Sequence, residues 1–412
     1  MANLFQTTKY VLNEVFVRYV NYLNLAKVSN RNIEEDFRTL KYVTGQTLNY
    51  RLEERYEGGE GASAKTEAVV QIVRPLSITK QFHTMVGFTG FDLTFNRARD
   101  KPFLDMMLNP RAKTLANKVE KFIADTFQTQ IYQAVGTPGV PIDFGTITMA
   151  DAYMTELGIP EDGNRYVAIR PTTNALLSTS LATIFNNTVN TGALMDGFIG
   201  HLSGFDFFKS NFMRRHTAGV GGGTAVTPPT GFLDGGQIAN GPITGGNTFV
   251  LNGVLSNQLV FRLGDILEID DANLVYMINP LNYEPLEQRA QFVVTADAIS
   301  TGTTVTVNVN PTIVTTGARR NISAPIPNGA QVWLSQSFNR TLAFHNQAIV
   351  FAAPPLTELR GGVEAATTFS NLYKMSITYS LGADIRNYEQ LDRLDIACGV
   401  AINPEFAVII RS

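Results

Sequence analysis

The sequence predicts an α+β fold: a mixed helix-and-strand body that carries an inserted, small all-β barrel domain. Three observations predict it. Between Phe261 and Val314 the chain is a series of short β-rich runs broken by turn signals. Residues 110–135 carry one nearly uninterrupted helical period. From Tyr373 to Ile410 the chain returns to alternating strands, MSITYSL, LDIACGVAI and FAVII. Late strands of that kind are expected to complete a sheet begun early. Residues 217–335 then form an insertion, and the body around it is discontinuous.

In the β-rich stretch, Leu259, Phe261 and Leu263 alternate with Val260 and Arg262, and Gly264-Asp265 supplies a turn. Ile266 to Ile269 is a second run, Gln291 to Thr295 a third, and Thr303 to Asn310 alternates Thr and Asn with Val. Short runs punctuated by Gly-Asp, Asn-Pro and Thr-Gly spell a small antiparallel barrel or sandwich. Glycine is dense from Gly219 to Gly253, which reads as loops and hinges leading into the insert.

The helix starts well at Asn109-Pro110, where Asn can cap and Pro is pre-set for the first turn. Ala112, Leu115, Ala116, Val119, Phe122, Ile123, Phe127, Ile131 and Val135 follow at helical spacing, and Gly136 and Pro138 end the run. Its expected length is roughly 39 Å. With a single apolar stripe it should lie along a sheet. Shorter elements follow: a helix over 148–160, a strand over Arg165 to Ile169, a helix from Pro171 to Phe185 and an extended run from Gly204 to Arg215.

The N-terminal 45 residues begin with helical spacing at Val11, Leu12, Val15, Phe16, Tyr19 and Val20. Residues 46–86 read as an extended hairpin. Leu48, Tyr50 and Leu52 share one face of a strand, and Asn49, Arg51 and Glu53 the other. The polar segment EGGEGASAKTE reverses the chain, and Ala68 to Val73 returns as the second strand. A lone two-stranded hairpin is marginal in water, so this one needs a partner. It is either an ordered flap of a larger sheet or an arm laid on a neighbouring subunit. Leu48, Tyr50, Arg51, Leu52, Glu53, Glu54 and Arg55 are the candidate inter-subunit contacts.

Composition narrows the function. A 412-residue chain with 44% apolar and 17% charged residues is ordered and long enough for two or three domains. A net charge of −3 gives no general attraction to nucleic acid or anionic membrane. The single cysteine, Cys398, excludes an internal disulfide framework and, flanked by Ala397 and Gly399, reads as a buried inert thiol. No secretory signal and no membrane-spanning run is expected. The run VGGGTAV lacks the Lys-Ser/Thr ending of a phosphate loop and reads as a hinge. His83, His201, His216 and His345 are scattered, with no metal-binding spacing. Asp265, Glu268, Asp270 and Asp271 lack the glycine and closing Glu of a calcium loop and read as a solvated turn. Arg214-Arg215 and Arg319-Arg320 are explained as well by carboxylate partners as by nucleic acid. No catalytic, cofactor or metal residue is expected, and the chain reads as a structural protein that associates with itself.

The Gly-Asp turn before a β run, INP (278–280), QFVVTAD (291–297) and VNVNPTIV (307–314), with LANKVEKFIADTF (115–127), YVAIRPTTNALL (166–177) and RTLAFHNQAIVFAAPPL (340–356), stand out along the chain. In residues and in order these segments resemble those of tailed-phage major capsid proteins of the podovirus type with an inserted domain. The resemblance implies the Hong Kong 97-type capsid fold. Its parts would be an N-terminal arm (1–45), an extended loop (46–86), a peripheral domain (87–145 with 366–412) built on a spine helix, an axial domain (146–216 with 336–365) and the insert (217–335). It also implies assembly into an icosahedral shell of pentamers and hexamers enclosing double-stranded DNA. A scaffolding protein and a portal would be partners, with weak, non-specific DNA contact and no membrane. The place would be the virion capsid, made in the host bacterial cytoplasm. An encapsulin-like compartment shell and a β-rich tail or fibre protein are the alternatives.

Overall fold

A computed structural model describes residues 3–31, 47–61, 66, 71–89, 101–184, 200–223, 226–359, 363–370 and 373–412. The segment FDLTF (91–95), a further point of the family resemblance, lies outside the described residues. The chain divides into two compact units, one of Met1–Arg51, Val73–Ala124 and Ile349–Ile402, the other of Leu52–Ile72, Asp125–Ala348 and Asn403–Ser412.

The first unit is a sheet with helices. Its organising strand is Glu389–Ile402, which pairs antiparallel with Ile349–Ala352, Met375–Asp384 and Lys80–Thr89, while Glu364–Ser370 adds to Met375–Asp384. The expected joining of early and late strands is met here by Lys80–Thr89 against Glu389–Cys398. Residues 80–86, read from sequence as the end of the hairpin, therefore belong to this sheet. The N-terminal helix Asn3–Asn21 buries Leu12, Val15, Phe16, Tyr19 and Val20, the stripe its spacing predicted.

The long helix is displaced from its expected place. It runs Lys101–Gln128, so Pro110 lies inside it and 129–135 are outside it. Its end is set by polar side chains: the Thr129 hydroxyl donates to the carbonyls of Asp125 and Thr126, and Gln128 donates to the Phe212 carbonyl and accepts from the Arg214 N–H. Satisfied carbonyls leave the chain free to turn into the short strand Ala134–Val135. The predicted stripe is buried, with Ala112, Leu115, Ala116, Val119 and Ile123 fully covered. Arg111, nearly buried, fixes the helix to the sheet by donating to Asp392 Oδ1 at 2.9 Å. Glu120 holds the N-terminal segment by accepting the backbone N–H groups of Asn24, Leu25 and Ala26, each at 3.0 Å. Burial raises the pKa of Glu120, and those three donors oppose the rise.

In the second unit, a mixed sheet runs in the order Ala134–Val135, Ala407–Arg411, Arg340–His345, Arg165–Ile169, Phe205–Lys209, His201–Leu202. Helices Phe144–Glu156 and Pro171–Ile184 belong with it, the first capped by Asp143, whose carboxylate accepts from Thr146 N–H at 2.8 Å. Phe344 receives Phe127 edge-on, 5.2 Å between ring centres, and Tyr166 and Phe208 beside it. This unit also holds a closed barrel in the order Ile266–Ile269, Gln291–Val294, Thr304–Val314, Gly245–Asn252, Phe232–Ile238, Gln331–Ser335, closing on itself. The barrel expected from the period-2 pattern is present, and Val305, Val307 and Val309 point inward as the Thr/Asn–Val alternation requires. Its core, with Phe249 against Phe292 at 5.1 Å, draws every member but Tyr132 from residues 238–334.

Candidate assembly surface

The sequence-predicted contact residues fall on and beyond a short antiparallel pair, Thr47–Arg51 with Val73–Ser77. The return strand is thus Val73–Ser77, whereas Ala68 to Val73 was expected; residues 68–70 lie outside the described residues. Leu48 pairs in backbone register with Leu76, and its side chain lies outside the described residues. Tyr50 is half-buried against Leu76, Ile78, Val350, Ala352, Ala397 and Ala401. In the first unit, then, Tyr50 of the hairpin's apolar face rests on the subunit's own sheet. Arg51 faces solvent.

Past Arg51 the segment belongs to the second unit. Leu52 is buried, and its N–H donates to the Ile72 carbonyl at 3.0 Å. Glu53 and Glu54 are exposed and Arg55 half-buried. Arg319 donates to the Glu53 carbonyl at 2.8 Å, Arg55 pairs with Glu405 at 2.8 Å, and the Tyr283 hydroxyl donates to the Tyr56 carbonyl at 3.1 Å. Partial burial lowers the pKa of Arg319, with Glu405 opposing. The Arg319-Arg320 pair is accordingly spent within the subunit, since Arg320 lies 4.8 Å above the Tyr283 ring and donates to its carbonyl. Arg214 reaches Asp125 at 3.5 Å, a carboxylate partner of the expected kind.

Two buried polar clusters, neither predicted, tie the barrel to the sheet of the same unit. In one, Glu268 accepts from Arg411 at 2.8 Å and from Gln291 at 3.0 Å, and Gln291 also exchanges two hydrogen bonds with the backbone of Ala134. Arg411 lies 5.3 Å from the Phe232 ring centre. In the other, His216, Asp265 and Arg340 form a chain: Nε2 to Asp265 Oδ1 at 2.5 Å, and Arg340 Nη2 to Nδ1 at 3.0 Å. Asp265 also accepts the N–H groups of Gly219 and Arg262.

These clusters correct two sequence readings. The acidic run is not a solvated turn, because Asp265 is fully buried and Glu268 nearly so. Asp265 finds His216 across 49 residues of sequence and Glu268 finds Arg411 across 143, partners that no local spacing reveals. Nor is the run from Gly219 to Gly223 a hinge. A Cβ at Gly219 would overlap the Val260 carbonyl, one at Gly221 would sit 2.5 Å from the Asp234 oxygen, and Gly223 donates to the Gly253 carbonyl. These glycines let backbone approach backbone. Cys398 is buried as expected, and burial pushes its thiol up to about 12. Among the described residues no cluster of His, Cys, Asp and Glu could hold a metal ion, and no helix is long and apolar enough to cross a membrane.

The family model of the P22 coat protein, gene protein 5, matches residues 3–409. The chain belongs to the P22 coat protein family. It is a tailed-phage major capsid protein, forms an icosahedral shell and has its place in the virion capsid. That family does not favour the tail or fibre reading or the encapsulin-like reading. Similar solved structures include a chain of Mycobacterium phage Che8, at 13% identity over 94% of this chain and 90% of that one with a TM-score of 0.46. The capsid of cyanophage P-SCSP1u is similar at 12% identity over 94% and 88%, TM-score 0.42. The capsid of Ralstonia phage GP4 is similar at 10% identity over 94% and 88%, TM-score 0.43. No curated protein is a significant match.

Proposed function

We propose that this coat protein has the Hong Kong 97-type fold and builds its shell from pentamers and hexamers in which the hairpin meets a neighbouring subunit through its outward edge. The parts are those expected above: arm 1–45, loop 46–86, peripheral domain 87–145 with 366–412, axial domain 146–216 with 336–365, and insert 217–335. One strand suggests an amendment: Ala407–Arg411 pairs with Arg340–His345, which puts the tail strand with the axial part. The family match over nearly the whole chain carries the reading. For the hairpin, Tyr50 and Leu52 are engaged within the subunit, and among the described side chains Arg51, Glu53 and Glu54 are exposed to a neighbour. Each such contact need contribute only a little, because a subunit in a closed shell repeats it many times. A scaffolding protein guides assembly, a portal occupies one vertex, and contact with packaged DNA is weak and non-specific. The subunit is made in the host bacterial cytoplasm and catalyses nothing.

The test is assembly of the purified protein with its scaffold, read by sedimentation and negative-stain microscopy. Shells are expected. The variant Arg51→Glu with Glu53→Lys should keep the circular dichroism of the folded subunit and lose the shells. Wild-type protein that stays a compact monomer sinks the shell reading. A variant that assembles normally sinks only the role of the hairpin edge.

A further inference from the structure

The insert is joined to its sheet where the chain enters it, at His216 to Gly223, and where the chain leaves it, at Phe338 to Arg340. One imidazole joins both passages to the base of the barrel. A guanidinium has no acceptor, so Arg340 Nη2 can only donate to Nδ1 of His216 at 3.0 Å. Nδ1 is therefore bare, the imidazole is neutral, and its proton sits on Nε2, donating to Asp265 at 2.5 Å. Arg340 also donates to the Gly264 carbonyl at 2.9 Å. His216 is buried, with the Phe338 ring 5.3 Å away. The charged groups that face it are Asp265 and Arg262 from the turn after Phe261 and Arg340 from the strand Arg340–His345. One carboxylate and one guanidinium are thus bridged by a neutral ring, in a site closed to water.

A second proton on this ring cannot be accommodated as the groups stand. It would place an N–H on Nδ1 against the N–H of Arg340 and add a positive charge beside two arginines. We propose that this junction is a proton-sensitive clamp: when His216 is protonated, its bridge to Arg340 opens, the segment 216–223 loosens from the barrel base, and the insert pivots on its second attachment, Glu268 with Arg411. That second attachment contains no histidine, so it holds while the first opens. The electrostatics agree in direction. Burial depresses the histidine below its ordinary value, Arg340 and Arg262 add to that, and Asp265 opposes it. A group depressed on folding contributes stability above its unfolded value, and that contribution is lost as pH falls through the folded value.

The inference rests on the fold alone and does not need the hairpin reading. It is tested on full-length assembled protein by two exchange measurements between about pH 8 and about pH 4, a window that spans histidine titration. The first is C2–hydrogen exchange of the imidazoles, read by mass spectrometry, which gives the midpoint of each histidine. His216 is expected to bind its proton more weakly than the histidine of a free peptide. The second is amide exchange, corrected for its intrinsic pH dependence. Residues 216–223 should exchange about tenfold faster below the His216 midpoint than above it, one pH unit's worth of opening, while the strand Thr304–Val314 stays protected. In His216→Gln the side-chain amide can donate to Asp265 and accept from Arg340 without titrating, so the pH response of 216–223 should vanish. A His216 that titrates like the free peptide, amides at 216–223 indifferent to its midpoint, or an unchanged response in His216→Gln would each overturn the clamp. The first two readings need only wild-type protein.

Discussion

The hairpin at Thr47–Ser77 and the barrel at Phe232–Ser335 are both antiparallel β structure, and they are stabilised in opposite ways. The barrel closes its strands into a ring and fills the interior from its own sequence, with Phe249, Phe261, Phe292, Val307 and Leu334 all fully buried. It has no edge strand to protect. The hairpin has two strands of five residues and no interior. Its apolar side chains settle on other parts of the chain, Tyr50 in one unit. Beyond Leu52 its fixings include exposed or half-exposed polar contacts with Arg319, Glu405 and Tyr283. A closed core makes one structure insensitive to what lies outside it. A borrowed one leaves the structure free to change partners, which suits a segment expected to meet other subunits.

The comparison is sharpened most by Phe292→Ala. Removing a fully buried aromatic ring that meets Phe249 edge-on should destabilise the barrel by about 3–5 kcal/mol. The sole tryptophan, Trp333, lies in the barrel strand Gln331–Ser335 and is almost fully covered, so its fluorescence reports this domain. In a denaturant titration the Trp333 transition should move to lower concentration. A transition that stays in place would show that the core does not hold the barrel, and the contrast with the hairpin would fail.

Leu52→Ala should act in the other region and less strongly. Truncating a side chain buried at the edge of a segment without a core costs about 2 kcal/mol locally. The Trp333 transition should not move, while proteolysis within residues 52–61 should become faster. A shifted Trp333 transition with unchanged proteolysis would mean that the two regions unfold as one, and that Leu52 is part of the barrel's stability.

The same contrast governs how much the sequence disclosed. The barrel was legible because period-2 alternation and turn residues are local signals, and Thr303 to Asn310 carries both. The strand Arg165–Ile169, the apolar stripe of the long helix and the return of late strands to early ones were legible for similar reasons. The ends of the long helix were not. Pro110 reads as a first-turn residue, but the turns before it extend the helix to Lys101, and the stop at Gln128 depends on Phe212 and Arg214, far along the chain. His216, Asp265, Arg340, Glu268 and Arg411 were missed as a group, since each finds its partner across 49 to 143 residues of sequence. One signal was available: two acidic residues in a run otherwise as apolar as Phe261 to Ile269 need buried partners if that run is a core strand. The glycines 219–223 misled because dense glycine marks close backbone approach as often as mobility, and only the surrounding strands distinguish the two.

The smallest expected effect concerns the ion pair Arg55–Glu405, and it tests the difference between the regions at the level of one interaction. Its side chains are 31% and 27% exposed, whereas those of Arg411 and Glu268 are each 5% exposed. A solvent-accessible pair gains little in a high dielectric and is screened by salt, so Arg55→Ala should cost about 0–1 kcal/mol. A buried pair leaves an uncompensated charge when one partner is removed, so Arg411→Ala should cost about 3–5 kcal/mol. The two variants should therefore separate in ionic strength as well as in size. Raising salt from about 0.05 to about 0.5 M should erase the Arg55→Ala difference from wild type, because the screening length falls well below 10 Å over that range. The Arg411→Ala difference should persist. The readout is the midpoint of limited proteolysis at residues 52–61 for the first variant and of Trp333 fluorescence for the second. If Arg55→Ala proves as costly as Arg411→Ala and as indifferent to salt, the loop is held as firmly as the barrel, and a hairpin that is free to exchange partners has to be given up.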